Sequence, residues 1–289
     1  MVGIKVGELA RDMRERLTGV YGAGEARDMV RQMFHAFKGW DATALIVHGD
    51  AAASDWLRGK CEDAVARVLA GEPVQYVTGE AYFYGMDLYV APGVLIPRPE
   101  TAELVDMIVA RNQETDLRVL DVGTGSGAIA IALSRNLKFA QVTAIDISGD
   151  ALSVARRNAE KLKAHVSIAE ADIFTYDPDN DSFDIIVSNP PYIAECEKAH
   201  MHANVLGHEP ALALFVPDDN PLVYYSRIAE VGRRALVPGG RLYFEINPLY
   251  ADDLGRMLLQ HGYEDVELVC DSHNRVRFAS AVNLKQERT

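Results

Sequence analysis

The chain has 289 residues, of which 48% are hydrophobic and 25% charged, a globular balance for one large or two ordinary domains. A net charge of −13 disfavours long phosphate-tracking surfaces, which are built from clustered Lys and Arg. No run of about 18 apolar residues offers a spanning helix, Met1 to Arg16 lacks a signal-peptide core, and Cys61, Cys196 and Cys270 are widely spaced, so free thiols in the cytoplasm are expected.

Residues 5 to about 71 read as several short amphipathic helices. Val6, Leu9, Met13 and Leu17 recur at helical spacing, as do Ala26, Met29, Val30, Met33 and Phe37, then Trp56, Val65, Val68 and Leu69. Gly19, Gly22 and Gly39 punctuate them, and Gly71 with Pro73 makes a stop. The spacing predicts a small bundle over 1–75 with no catalytic constellation. His35, His48 and Trp56 read as core or surface residues rather than ligands.

Residues 76–100 change character. Ala81 to Tyr84 and Asp87 to Val90 flank Gly85-Met86 and predict a hairpin that bridges two domains. In Ile96-Pro-Arg-Pro-Glu-Thr101 the two prolines forbid regular structure at Arg98 and favour a helix directly after it.

From residue 117 strands and helices alternate. Leu117–Val122, Gln141–Ile145, Val166–Ala169 and Phe183–Val187 read as strands, with helices over 127–136 and 149–163, the latter capped by Ser148. Arg241–Ile246, Asp265–Val269 and Val276–Ala281 complete seven strands. The pattern predicts an α/β domain over 101–289 with a largely parallel, doubly wound sheet. Residues 193–220 show little periodicity and read as a long binding loop.

Two stretches carry chemistry. Asp121-Val-Gly-Thr-Gly-Ser-Gly127 follows a strand and opens a helix, so its glycines let the backbone turn tightly and approach a ligand. Gly123, Gly125 and Ala128 also satisfy a dinucleotide pattern. Asp146 ends the next strand, placed to take both hydroxyls of a ribose, and Asp172 follows the third, where it could accept from an adenine amino group. Ile173 and Phe174 could pack on the adenine ring. The alternative for both acids is capping of the following helices. The second stretch is Asn189-Pro-Pro-Tyr192 at the end of a buried strand. The Asn189 side-chain carbonyl and the Pro190 carbonyl are two acceptors in a turn stiffened by proline. Together they can grip a planar –NH2 group, with Tyr192 on its flat face. A nucleoside pocket beside an amine trap suits methyl transfer from S-adenosylmethionine better than hydride transfer.

These two motifs together resemble the class I methyltransferases acting on amide or exocyclic amino nitrogens. Gly71-Glu-Pro-Val-Gln-Tyr76, Ile96-Pro-Arg-Pro-Glu-Thr101 and Glu209-Pro-Ala-Leu-Ala213 narrow the resemblance to the bacterial release factor glutamine methyltransferases, the HemK or PrmC family, over nearly the whole chain. The resemblance implies a seven-stranded Rossmann-like methyltransferase sheet with an N-terminal helical bundle for docking the substrate, joined by the hairpin. It implies that Gly123, Thr124, Gly125, Ser126 and Gly127 line the methionine portion of S-adenosylmethionine and that Asp146 holds the ribose. Asp172, Ile173 and Asn189 complete the cofactor contacts. Asn189, Pro190, Pro191 and Tyr192 would bind the substrate glutamine, and Asn189, Pro190 and Tyr192 would carry catalysis, leaving S-adenosylhomocysteine as product. The implied partner is a class I peptide chain release factor, methylated at the glutamine of its Gly-Gly-Gln loop, with no membrane and no direct nucleic acid. Three positions depart from the family pattern: Ile173 stands where Trp or a larger apolar residue is frequent, Phe215 to Asn220 replaces a Gly-rich stretch, and Glu245-Ile-Asn-Pro248 replaces Glu-Ile-Gly.

Three other functions share these features: methylation of a ribosomal-protein glutamine, methylation of adenine in nucleic acid on a flipped base, and non-catalytic nucleoside binding. His200, His202 and His208 near Cys196 raise a metal hypothesis, but exposed loop histidines are the expectation and no metal is assigned.

Overall fold

The computed structural model describes residues 4–201 and 203–284. They divide into two compact units. The first comprises the described residues up to Glu80 together with Val90–Pro92 and residues 203–208. The second holds Ala81–Tyr89, Gly93–Met201 and the described residues from Glu209 on.

In the first unit the expected run of short helices is instead dominated by one long element, α1 (Val6–Lys38), followed by α2 (Ala42–Val47), α3 (Asp55–Leu69) and α4 (Val74–Thr78). Gly22 interrupts α1 with φ 78°, ψ 162°, whereas Gly19 lies within the helix. The apolar stripe carries through the kink, so Leu9, Met13 and Leu17 before it and Val30, Met33 and Phe34 after it share one core with Leu57, Cys61, Val65 and Val68 of α3. Gly39 ends α1 in the left-handed conformation, its N–H donating to the His35 carbonyl. The next helices start at side-chain caps, Asp41 accepting from the Ala44 N–H and Ser54 from that of Leu57. Trp56 is exposed, and the His48 ring stacks on Trp40.

Residues 76–78 are helical rather than part of the hairpin. The hairpin is β1 (Glu80–Phe83) and β2 (Met86–Tyr89). Its turn is Tyr84-Gly85, one position earlier than expected, with φ of 48° and 74°. Positive φ at both central residues is the type I′ signature that matches strand twist. Residues 81–89 belong to the second unit, where fully buried Asn158 pins them. Its carboxamide accepts from the Tyr89 N–H at 2.7 Å and donates to the Tyr89 carbonyl at 2.9 Å.

The rest of the second unit alternates as expected: α5 (Pro99–Arg111), β3 (Arg118–Val122), α6 (Ala128–Asn136), β4 (Gln141–Asp146), α7 (Gly149–Leu162), β5 (Val166–Glu170) and β6 (Phe183–Ser188). Residues 193–220 are not a bare loop. They contain β7 (Ile193–Ala194), α8 (Ala203–His208) and β8 (Phe215–Val216), with β7 paired to β8 and α8 falling in the first unit. Then follow α9 (Val223–Ala235), β9 (Leu236–Glu245), α10 (Ala251–Gln260), β10 (Glu264–Cys270) and β11 (Val276–Asn283).

Seven strands form one sheet in the order β10-β11-β9-β6-β3-β4-β5, in which β11 alone runs antiparallel, pairing with β9 on one side and β10 on the other. Successive residues of each central strand serve opposite cores. Val119, Ile185 and Val187 pack toward Leu104, Ile108 and Ile131, whereas Leu120, Val122 and Ile186 pack toward Tyr225, Ile228 and Leu254. The chain runs outward from β3 through β4 to β5, then returns to β6 on the other side of β3. That reversal opens a crevice at the carboxyl ends of β3 and β6, where open α/β sheets bind ligands. No helix of the described residues is long and apolar enough to cross a membrane.

Candidate active site

The crevice is a cavity of about 250 Å³ whose walls come from the ends of β3, β4 and β6, the turn after β5, and residues 93–101 and 210–213. Gly123, Thr124, Gly125, Ser126, Asp146, Asp172, Ile173, Asn189, Pro190 and Pro191 all line it. Gly127 and Tyr192 do not.

The glycine loop is held by backbone and carboxylates. The N–H groups of Gly123 and Thr124 both donate to the Ile145 carbonyl, at 2.9 and 3.0 Å. Asp146 receives the Gly125 N–H on one oxygen and the Ser148 N–H on the other, each at 2.9 Å. Each oxygen keeps a second lone-pair site, so the carboxylate can still accept ribose hydroxyls. Gly123, Gly125 and Gly127 have φ of 72°, 55° and 81°. A Cβ on Gly123 or Gly125 would meet nothing within 4 Å, which leaves their backbone open to a ligand. At Gly127 it would press on Ala155 Cα at 3.3 Å, so that glycine serves close packing of the loop on α7. Asn158 Nδ2 also donates to the Ser126 carbonyl, tying the loop to the hairpin strand β2.

Asp121 sits beneath the loop, fully buried, its Oδ2 accepting from the Thr124 hydroxyl at 2.7 Å and the Ala130 N–H at 3.2 Å. Among the described residues its Oδ1 has no partner. Burial therefore pushes the Asp121 carboxyl up to about 7, against the lowering by those two bonds. Asp172 accepts from the Phe174 N–H at 2.9 Å. Ile173 is buried in the wall, and half-exposed Phe174 meets the Tyr224 ring, which also lines the cavity.

The opposite wall is held by side chains from distant segments. Pairing of β6 with β3 brings Ser188 beside Val122, and its hydroxyl donates to the Val122 carbonyl at 2.7 Å, setting where Asn189 emerges. Asn189 Nδ2 donates to Thr101 Oγ1 at 3.4 Å, and the Thr101 hydroxyl donates to Glu245 Oε2 at 2.6 Å. The Tyr192 hydroxyl donates to Glu245 Oε1 at 3.1 Å, so its ring packs behind the Pro-Pro turn instead of forming the cavity wall. Glu245 is buried, and desolvation raises its carboxyl above the usual range despite those two donors. Burial likewise raises the Tyr192 hydroxyl, with the Glu245 charge adding to it. Asn247, in one of the departures from the family pattern, donates to the Tyr192 carbonyl at 3.1 Å and to Glu197 at 2.9 Å. Arg98, which lines the cavity, pairs with buried Glu209 at 2.6 Å, joining Ile96-Pro-Arg-Pro-Glu-Thr101 to Glu209-Pro-Ala-Leu-Ala213.

Thr101, Glu245, Asn247 and Asn158 escaped the sequence reading as site residues. A signal existed for Glu245: it is a single acid inside the apolar run Leu242 to Ile246. His202 lies outside the described residues, and among these no group of three metal-ligating side chains occurs.

Family models match both the helical unit and the segment that carries the cavity. Residues 8–79 match the PrmC N-terminal domain and residues 101–212 the methyltransferase small domain. A release factor glutamine methyltransferase of Bacteroides thetaiotaomicron is 47% identical over 270 residues, covering 93% of this chain and 97% of its own. This chain belongs to that family. Its counterpart in Flavobacterium psychrophilum is 38% identical, with 86% of this chain and 88% of the relative covered. The fold alone is shared with a Pyrococcus furiosus methyltransferase of 18% identity and TM-score 0.53, which covers 76% of this chain and 98% of its own. The protein is accordingly a methyltransferase, and the cavity is its candidate active site.

Proposed function

We propose that the protein transfers a methyl group from S-adenosylmethionine to the side-chain amide nitrogen of the glutamine in the Gly-Gly-Gln loop of class I peptide chain release factors. One observation carries the reading: the amine trap of Asn189 and Pro190 opens into the same cavity as the glycine loop and Asp146. The cavity residues fit S-adenosylmethionine. Gly123 and Gly125 present bare backbone at the loop, Asp146 keeps free lone pairs for a ribose, and Ile173, Phe174 and Tyr224 offer apolar surface for a base. When bound, that cofactor supplies an electrophilic methyl on a sulfonium.

The residues of the chain have a positioning task, because an amide nitrogen is a poor nucleophile. Asn189 Oδ1 and the Pro190 carbonyl accept the two N–H bonds of the substrate amide, fixing its plane and favouring positive charge that develops on nitrogen. Alignment of two reactants by such contacts is worth up to about 7–11 kcal/mol in the best cases. No general base is required, since the proton on nitrogen becomes acidic as the new bond forms and can pass to water. Recognition of a whole protein needs more than a pocket: standard complexes bury about 1,600 Å². The helical unit, with its own core and no catalytic motif, carries that docking role in this reading, and the cytoplasm is where it takes place.

The test is to incubate the protein with methyl-labelled S-adenosylmethionine and, separately, a class I release factor, a ribosomal-protein fraction and DNA. Label on the release factor glutamine is expected, and label confined to another acceptor overturns the reading.

A further inference from the structure

The polarity of a side-chain carboxamide is set by its neighbours; at Asn189 the partner is Thr101, which is in turn bonded to Glu245. A threonine hydroxyl has one hydrogen. At 2.6 Å, donation to Glu245 Oε2 commits that hydrogen to a short bond. Toward Asn189 the Thr101 oxygen can then only accept, so Nδ2 must face it. Turning the carboxamide over would set Oδ1 against an oxygen lone pair. Glu245 is itself held in place: the Tyr192 hydroxyl engages its other oxygen and the Tyr225 hydroxyl donates to its backbone carbonyl at 2.9 Å. None of this polarity is inherent in Asn-Pro-Pro-Tyr, since its Asn could present either end.

We propose that Thr101 and Glu245 are positioning residues that hold Asn189 with Oδ1 as the acceptor offered to the substrate amide. The inference deepens the reading above and rests on it for the identity of that amide. At 3.4 Å the Asn189–Thr101 contact is long, so its value lies in choosing an orientation rather than in adding stability. The wrong orientation points an NH2 group at the substrate NH2, and two donors cannot bond.

Two near-isosteric changes test this in the full-length protein. Thr101→Val removes the acceptor. Glu245→Gln inverts the chain: Tyr192 keeps the amide oxygen, the amide nitrogen turns to Thr101, and the hydroxyl is forced to donate to Asn189. Thr101→Ser preserves the hydroxyl. With a release factor as acceptor, Thr101→Val and Glu245→Gln should each lower kcat by about tenfold or more. S-adenosylmethionine affinity should stay within about threefold of wild type, and Thr101→Ser should retain near-normal turnover. A role in packing alone would not single out the hydroxyl. An independent readout is the side-chain NH2 signal of Asn189 in 15N-asparagine-labelled protein, assigned by its loss in Asn189→Ala. The signal should move in Thr101→Val and Glu245→Gln and stay in Thr101→Ser. Unchanged kcat in Thr101→Val, equal loss in Thr101→Ser, or an unmoved signal overturns the relay. If Glu245→Gln does not fold, the threonine pair decides alone. If the wild type leaves the release factor unlabelled, the substrate reading fails while the NH2 signal still decides the relay.

Discussion

The two walls of the cavity are built by opposite means. The glycine-loop wall is local: Asp121 to Gly127 are contiguous, and the neighbouring strand and its Asp146 hold them through main-chain N–H groups. The Pro-rich wall is assembled from afar, with Thr101, Glu245 and Asn247 all more than 50 residues from the turn they support. A backbone-held wall tolerates side-chain change except at its glycines, its carboxylates and the buried Asn158 carboxamide that holds the Ser126 carbonyl. A side-chain-held wall depends on hydrogen-bond direction at every link, because each buried polar group must keep its partner.

The largest break in this comparison is at Asn189. Asn189→Ala should lower kcat by about 100-fold or more, the scale of losing one well-placed polar contact in a transition state. S-adenosylmethionine affinity should change far less, as calorimetry on the same preparation would reveal; full turnover in the mutant would refute the assignment. On the other wall, Asp146→Ala loses bonds to a charged acceptor worth about 1.5–3 kcal/mol each, so S-adenosylmethionine should bind at least tenfold more weakly. Its kcat at saturating cofactor should fall less than that of Asn189→Ala, and the reverse ranking would contradict the division of labour. Removing most of the helical unit contrasts the units rather than the walls. Deleting residues 1–75 should spare cofactor binding yet sharply reduce catalytic efficiency on an intact release factor, provided circular dichroism shows the remainder folded. Equal efficiency would remove the docking role.

Smaller effects concern how the glycine loop is packed. Gly127→Ala must adopt φ 81° and place its Cβ 3.3 Å from Ala155 Cα, so it should cost about 1–3 kcal/mol in denaturant unfolding. Gly123 is equally left-handed but faces open space, so Gly123→Ala should cost less in stability and more in cofactor affinity. The subtlest prediction is a pH dependence. The folded Asp121 carboxyl titrates near 7, above its ordinary value near 4 when unfolded. The folded state therefore holds that proton more tightly. The resulting stabilisation is complete below pH about 4 and is lost as pH rises through about 7. Asp121→Asn lacks this titration, so the melting temperature of wild type relative to Asp121→Asn should decline between those limits. A constant difference would mean that Asp121 is not held protonated by the fold.

Much of the architecture was legible in local pattern. Alternating burial and helix caps such as Ser148 are set by residues a few positions apart, and the seven strands lie within a few residues of where periodicity places them. The glycine loop was legible for the same reason, since positive φ at Gly123, Gly125 and Gly127 is a property of single residues. Local pattern failed where an outcome depended on what a segment packs against. Gly19 and Gly22 look alike in sequence, yet only Gly22 breaks α1. Residues 193–220 lack periodicity because their short elements depend on pairing such as Ile193 with Phe215.

The class of chemistry is written in local motifs: a glycine loop after one strand, an acid at the end of the next and an Asn-Pro-Pro-Tyr turn after the fourth have a geometry that follows from backbone conformation. How the Pro-rich wall is held follows only from contacts between distant segments. Thr101 and Glu245 are 144 residues apart, and nothing in either neighbourhood indicates that one hydroxyl proton joins them. Hydrogen-bond direction at Asn189 is a property of that three-dimensional junction, so it could be read only after β6 and β9 had been laid side by side and α5 brought against them.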